Sequence, residues 1–308
     1  MNDSVALLRA RWTPELTDAA IRFLQGNPGE IEIPTMQLDG QMQLDLRGIR
    51  IEGTQLDGMV VRKVNLRWAT IHDVGFKGAR LIDCNLSQVF FSECYFRRTV
   101  FQGCEIVNAK FESCDFPNAR LDASRLDYAR FRNCEIGLAS IAFREDGNAQ
   151  VLARVCHNLK LNAMSMGHLG DVSELSYMEK TFERHVLFNQ AFDRSGAKRG
   201  GFKAIVKWLD SLALNWIWGY GERPWRLFLA GLVSIFGFGT LQYSLNGIPN
   251  AGWWEHVYFS GITFLTIGYG DLVPVGGVPR MLSVLEGIFG ITVIGLLIAS
   301  ATKKIMNR

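Results

Sequence analysis

The sequence predicts a multidomain membrane protein: a square solenoid of short strands, then a helical hairpin, then an all-α domain with two membrane spans. Three observations carry this. A large apolar residue stands at every fifth position from Leu46 to Ile141. Residues 227–254 contain no Asp, Glu, Lys or Arg. A second apolar stretch, Met281–Thr302, has Glu286 as its only charge.

The averages over the 308 residues hide this division. A composition of 48% hydrophobic and 20% charged residues excludes a disordered, collagen-like or disulfide-rich secreted chain. A net charge of +3 is too small to argue for a nucleic-acid partner. The opening MNDSVALLRARW has no apolar core of signal-peptide length, which assigns the first half to the cytoplasm. It begins with a capping helix: Thr13 is the N-cap, Pro14 the first helical residue, and Gly26 and Pro28 the stop. Ala19, Ala20, Phe23 and Leu24 are expected to face the first coil.

The five-residue series runs Leu46, Ile51, Leu56, Val61, Leu66 and onward, and all twenty members are large and apolar. At this composition chance gives such a run about once in two million trials. Two residues before each, from Val64 to Ala139, only Val, Ala, Cys, Thr and Ser occur. A period of five fits neither an amphipathic helix nor a simple strand. It fits a chain that turns a right angle every five residues and closes a coil after four steps. The series predicts about five coils, a rod ~24 Å long at ~4.8 Å per coil. Five of the six cysteines occupy the small position, so they read as interior fillers. No CxxC occurs, and no His stands at zinc spacing, so no metal site or cofactor is expected.

These repeats resemble the pentapeptide-repeat family, in Ala79-Arg80-Leu81, Ala109-Lys110-Phe111, Ala119-Arg120-Leu121 and Ala129-Arg130-Phe131. The resemblance implies a right-handed quadrilateral β-helix. Some members of that family mimic DNA with an acidic surface. Here residues 43–141 carry 12 Asp+Glu and 14 Lys+Arg, a net of +2, the wrong sign for a mimic.

Two helices are predicted next, from about Asn148 to Gly167 and again after the capping run Asp171-Val172-Ser173-Glu174. Met164, Met166, His168 and His185 in this hairpin read as packing and solvent-facing residues, not as a ligand set. A basic, glycine-rich link, Arg194–Gly201, follows. Phe202, Ile205, Val206, Leu209, Leu212 and Trp216 then share one helical face. With Trp208, Trp218 and Trp225 they describe an interfacial helix with an aromatic belt, so a lipid bilayer is an expected partner.

Trp225–Leu245 is long enough to cross ~30 Å of hydrocarbon, and so is Met281–Thr302. Between them a short apolar helix leads into Thr266-Ile267-Gly268-Tyr269-Gly270-Asp271. This arrangement resembles the pore of the two-transmembrane potassium channel family. A filter that dehydrates K⁺ needs several carbonyl oxygens aimed at one axis. Gly268 and Gly270 permit backbone angles that other L-residues resist. The resemblance implies ion binding by Thr266, Ile267, Gly268, Tyr269 and Gly270, and four copies around one axis, a homotetramer. It implies a gating hinge at Gly290, twenty residues after Gly270, and a small cavity-facing residue at Gly295.

Two departures stand out. Some members carry a Glu in the pore helix, paired with the Asp after the filter. Ile262 stands there, so Asp271 needs another partner, and Tyr258 is the candidate. Leu265 precedes the filter in place of a second Thr. Glu286 has two readings: a carboxylate that hydrogen-bonds behind the filter and supports it, or one half wet at the membrane interface.

Arg223 and Arg226 before the first span, and Lys303, Lys304 and Arg308 after the second, place both termini in the cytoplasm. No span carries the repeated Arg of a voltage sensor. The expected organisation is a capping helix and lead-in at 1–40, the β-helix at 41–145 and a hairpin connector at 146–200. The interfacial helix at 201–224 and the pore domain at 225–308 complete it, with spans 225–245 and 281–302, pore helix 253–265 and filter 266–270. The function read is passive K⁺ conduction in a bacterial inner membrane, not catalysis. The sequence leaves open whether the repeat domain binds a ligand, binds a protein or only scaffolds. The alternatives are a membrane-anchored scaffold, marked by a degenerate filter, and a weakly selective cation channel, marked by an altered Tyr269 position. Neither mark is present.

Overall fold

The structure is a computed structural model. It describes residues 2–27, 29–38, 41–122, 124–142, 148–192 and 201–306. Pro28, most of the basic link (193–200) and Arg308 lie outside the described residues, as do the side chains of Lys303 and Lys304. The chain divides into two compact units, Met1–Val186 and Leu187–Arg308, and each is described by itself.

The first unit is a β-solenoid with helical ends. One ladder stacks Arg50–Glu52, Thr70–His72, Phe90–Ser92, Lys110–Glu112 and Arg130–Arg132 in parallel. Another stacks Val60–Arg62, Arg80–Ile82, Val100–Gln102 and Arg120–Asp122. Partners are twenty residues apart, one coil, because Ile51 lies over Ile71 and Ile71 over Phe91. The five-stranded ladder amounts to about four turns, not the five coils the series suggested. The first coil opens instead with an antiparallel hairpin, Thr35–Leu38 with Gln41–Asp45.

All the predicted axial residues described are buried. Phe91, Phe111 and Phe131 stack with centroids 4.9 Å apart at each step. Phe76, Phe96 and Phe116 do so at 5.0 and 4.8 Å. That spacing is the rise between adjacent strands, so each ring meets its copy one coil away.

The small position has a second requirement that its size did not reveal. Its hydroxyl or thiol donates to a carbonyl 23 residues earlier. Thr99 donates to Phe76 O at 2.6 Å, Ser124 to Phe101 O at 3.2 Å, Cys104 to Leu81 O at 3.3 Å and Cys134 to Phe111 O at 3.4 Å. Cys, Ser and Thr are therefore small residues that also satisfy an interior acceptor. The thiol stacked on each, then burial, push Cys104 and Cys134 above the ordinary thiol range. All six cysteines are free and buried.

Among the described residues, each corner from Leu46 to Phe131 has a left-handed residue two places after the axial one. Gly48, Gly53 and Gly58 meet this freely, while Lys63, Trp68, Asp73, Arg98 and Tyr128 take it with φ between 52° and 64°. The aligned coils supply the constraint that holds them there.

Both ends are capped. Helix α1 (Asn2–Ala10), which the sequence reading did not identify, precedes α2 (Pro14–Leu24). Thr13 Oγ1 accepts the Leu16 N–H at 3.3 Å. Ala19, Ala20 and Leu24 are buried, but Phe23 is 38% exposed and does not face the coil as expected. Arg11 and Arg47 clamp Asp45, with Arg11 Nη1 2.9 Å from Oδ2 and Arg47 Nε 2.8 Å from Oδ1. Burial alone would raise the Asp45 carboxyl. Hydrogen bonds from Arg47 and then Arg11 overturn that and hold it well below its ordinary value of 3.8. A lowered folded pKa lends stability that is present above pH 3.8 and lost as the pH falls toward the folded value.

Helices α3 (Ala149–Met166) and α4 (Leu169–Phe192) are more than a connector. Val155, Cys156, Leu159 and Ala163 of α3, with Leu175 of α4, join the solenoid core. Burial, then the Glu179 charge, push the Cys156 thiol up to about 12. Buried Asn162 closes the last coil: its Oδ1 accepts the Cys134 N–H at 2.9 Å and its Nδ2 donates to the Cys134 carbonyl at 2.8 Å. One side-chain amide thus replaces the peptide group that a further coil would have offered. Asp171 does not cap α4, which begins two residues earlier at Leu169. Its Oδ2 accepts the Leu138 N–H at 3.1 Å instead. Asn162→Ala leaves a buried donor and acceptor unpaired, at about 1–3 kcal/mol each. Chemical denaturation should therefore show a loss of about 2–6 kcal/mol, whereas a loss below about 0.5 kcal/mol would contradict the capping role.

The second unit holds α5 (Gly201–Ile217), α6 (Trp225–Ser244), α7 (Trp253–Phe264) and α8 (Gly277–Met306). Among the described residues, α6 and α8 are the two helices long and apolar enough to cross a membrane. Helix α8 starts four residues before the span expected from the sequence. Phe202, Val206, Leu209, Leu212 and Trp216 of α5 are exposed, whereas Trp208 packs on Phe188 and Phe192 of α4.

Candidate ion-conduction site

Helix α7 packs between α6 and α8, and glycines set how closely. A Cβ built on Gly239 of α6 would lie 2.8 Å from the Val257 Cα of α7. One built on Gly290 of α8 would lie 2.1 Å from the Phe264 carbonyl oxygen. No side chain fits at either place, so both helices touch the α7 backbone. Gly290 has thereby a packing duty that the hinge reading did not anticipate, and α8 runs unbroken through it. Gly295 meets nothing within 4 Å in the single chain.

Helix α7 ends at Phe264, and the chain leaves it through a turn at Leu265 and Thr266. The Thr266 N–H bonds back to Thr263 O at 3.0 Å and the Ile267 N–H to Ile262 O at 2.8 Å. Beyond this, handedness alternates: φ is +58° at Thr266, +58° at Gly268 and +77° at Gly270, but not positive at Ile267 or Tyr269. Alternating hand turns successive carbonyls toward one side, which an ordinary strand cannot do. Gly268 and Gly270 take these angles freely. Thr266 takes one as a β-branched residue at the left-handed position that closes the C-terminus of α7. The partial negative charge at the α7 C-terminus lies beside this run and favours a cation there.

The five residues expected to form the filter, Thr266–Gly270, are exposed in the single chain, Tyr269 at 70%. Tyr258 Oη donates to Asp271 Oδ2 at 3.0 Å, which brings the two proposed support residues together. Glu286 is 0% exposed, enclosed by α6, α7 and α8, and the half-wet reading does not describe its place. Ser260 of α7 touches it.

The outer loop has anchors that sequence reasoning missed. Buried His256 accepts the Ile248 N–H at Nε2 (3.2 Å), so its Nδ1 carries the proton given to Gly252 O at 2.8 Å. Buried Gln242 bonds Pro279 O at 2.9 Å and Ser283 Oγ at 3.0 Å, tying α6 to the start of α8. Polar residues inside otherwise apolar segments were the available signal, but their partners are distant in sequence.

Two membrane-length helices flanking a short helix and a run of alternating hand define an ion-channel segment, here carried on the same chain as a β-solenoid. The comparisons agree. Residues 230–307 match the family described as "Ion channel" and residues 71–146 the one described as "Pentapeptide repeat region". Among solved structures, the chain is similar to a pentapeptide repeat protein (Rfr23) from the cyanobacterium Cyanothece 51142. The identity is 14%, over 33% of this chain and 91% of that one, with a TM-score of 0.17. It is also similar to HetL, a pentapeptide repeat protein involved in heterocyst differentiation regulation in the cyanobacterium Nostoc sp. strain PCC 7120. There the identity is 20%, over 30% and 42% of the two chains, with a TM-score of 0.15. QnrB1, a plasmid-mediated fluoroquinolone resistance protein, shares 14% identity over 28% and 52%, with a TM-score of 0.12. No curated protein matches the chain.

Proposed function

We propose that the protein is a potassium-selective channel working as a homotetramer in a bacterial inner membrane, with both termini in the cytoplasm. The carrying observation is the alternating hand of the Thr266–Gly270 backbone at the C-terminus of a short helix between two membrane-length helices. K⁺ is the permeant substrate, held by the carbonyls of Thr266, Ile267, Gly268, Tyr269 and Gly270 and by the Thr266 hydroxyl. One chain supplies one wall, which fits the exposure of those residues in isolation. Tyr258 and Asp271 brace the outer end of the filter. Gly290 is the point at which α8 would bend or shift, and Gly295 faces the cavity. The solenoid serves regulation, assembly or partner docking on the cytoplasmic side, and no catalytic step is assigned. Purified protein in liposomes loaded with K⁺ is expected to pass K⁺ when a protonophore supplies the counter-charge. Absence of flux from tetrameric protein would overturn the reading.

A further inference from the structure

The packing behind the filter follows a four-residue register. Ser260 and Phe264 of α7 meet Glu286 and Gly290 of α8 in turn. On the other side, Val257 and Ser260 meet Gly239 and Ile235 of α6. Phe264 packs on both spans with its ring and backbone, and Ser260 reaches both through its hydroxyl. Its Oγ lies 2.7 Å from the Ile235 carbonyl oxygen and is hydrogen-bonded to Glu286 Oε1. Ser260 and Glu286 are both 0% exposed. Glu286 Oε2 has no hydrogen-bond partner, and no ion pair to Glu286 occurs among the described residues.

Proton counting then decides the arrangement. A serine hydroxyl has one proton; a carbonyl and an ionised carboxylate only accept. If Glu286 were ionised, Ser260 could satisfy just one neighbour, and a dry, unpaired charge would remain inside the helix packing. If Glu286 keeps its proton, each contact gains a donor. Glu286 gives its proton to Ser260 Oγ, and Ser260 gives its own to the Ile235 carbonyl. We propose that Glu286 is held as a neutral carboxylic acid, the first donor in a relay through Ser260 to Ile235 that fixes the pore helix between the spans. Both are positioning residues. They touch no ion, and they act by fixing α7 and therefore the filter that leaves its C-terminus. The effect on selectivity rests on the channel reading above; the protonation state does not.

The test pairs infrared spectroscopy with ion permeability in the full-length protein. Wild type should show a protonated-carboxyl stretching band that Glu286→Gln removes and that Ser260→Ala shifts, because the Oγ acceptor is lost. Glu286→Gln keeps a donor of the same shape, so its K⁺ over Na⁺ permeability ratio should stay within about twofold of wild type. Glu286→Ala and Ser260→Ala break the relay and should lower that ratio about tenfold. A wild-type spectrum that Glu286→Gln changes only in its ionised-carboxylate bands would overturn the proposal. So would a Glu286→Gln ratio as low as that of Glu286→Ala. If the alanine variants do not assemble, the wild-type and glutamine spectra still decide. If wild type proves unselective, the channel reading fails while the infrared result stands separately.

Discussion

Tyr269→Asp is expected to remove discrimination between K⁺ and Na⁺ while leaving a tetramer that still conducts. The side chain is exposed in the single chain and is not among the residues packed between α6, α7 and α8, so its replacement leaves the helix contacts intact. What changes is the chemistry of the filter wall. In the proposed tetramer, four carboxylates would replace four aromatic rings around the axis. Rings of carboxylates attract cations by charge, without the carbonyl cage that replaces the hydration shell of K⁺. The permeability ratio should fall by at least about tenfold, or ~1.4 kcal/mol of selectivity. Bi-ionic reversal potentials read this directly, with cross-linking to confirm the tetramer. Retained selectivity would mean that Tyr269 does not belong to the filter.

Gly290→Val should have an effect of similar size by another route. Its Cβ would lie 2.1 Å from a backbone oxygen, which no rotamer change relieves. Helix α8 or α7 must shift, and overpacking of this kind costs about 1–3 kcal/mol per chain. Across a tetramer the losses add, so assembly or thermal stability should fall sharply, with selectivity falling in whatever assembles. A hinge alone predicts something else: normal stability and selectivity with altered open probability. Gly295→Val is the control, because nothing lies within 4 Å of its Cβ in the single chain. Gly268→Ala makes a useful contrast. No atom lies within 4 Å of the added carbon, but φ is +58°, so any loss there comes from the backbone angle and not from crowding.

The legible features were those carried by local repetition. The axial residues of the solenoid and the small position beneath them recur at fixed spacings, and periodicity reports burial directly; the Thr266–Gly270 run was read from its resemblance to a channel pore. Features made by meetings between distant segments were not legible. Asn162 caps a coil 28 residues away, and Ser260 meets Glu286 across 26 residues. Each looks like an ordinary polar residue until the fold supplies its partner. The left-handed corners fall between these cases. Their glycines hint at the requirement, but Trp68, Arg98 and Tyr128 conceal it, since the coil contacts impose what the residues would not choose. Phe23 misled for a related reason: the coil core is reached by Ala20 and Leu24, with Ile21 packed against it, and not by Phe23.

The alternating backbone hand at Thr266–Gly270 is proposed to make a potassium-selective path. Purified wild-type protein in a planar bilayer, with K⁺ on one side and Na⁺ on the other, should show a reversal potential displaced strongly toward the K⁺ equilibrium value. A reversal near zero with the two ions opposed would contradict it.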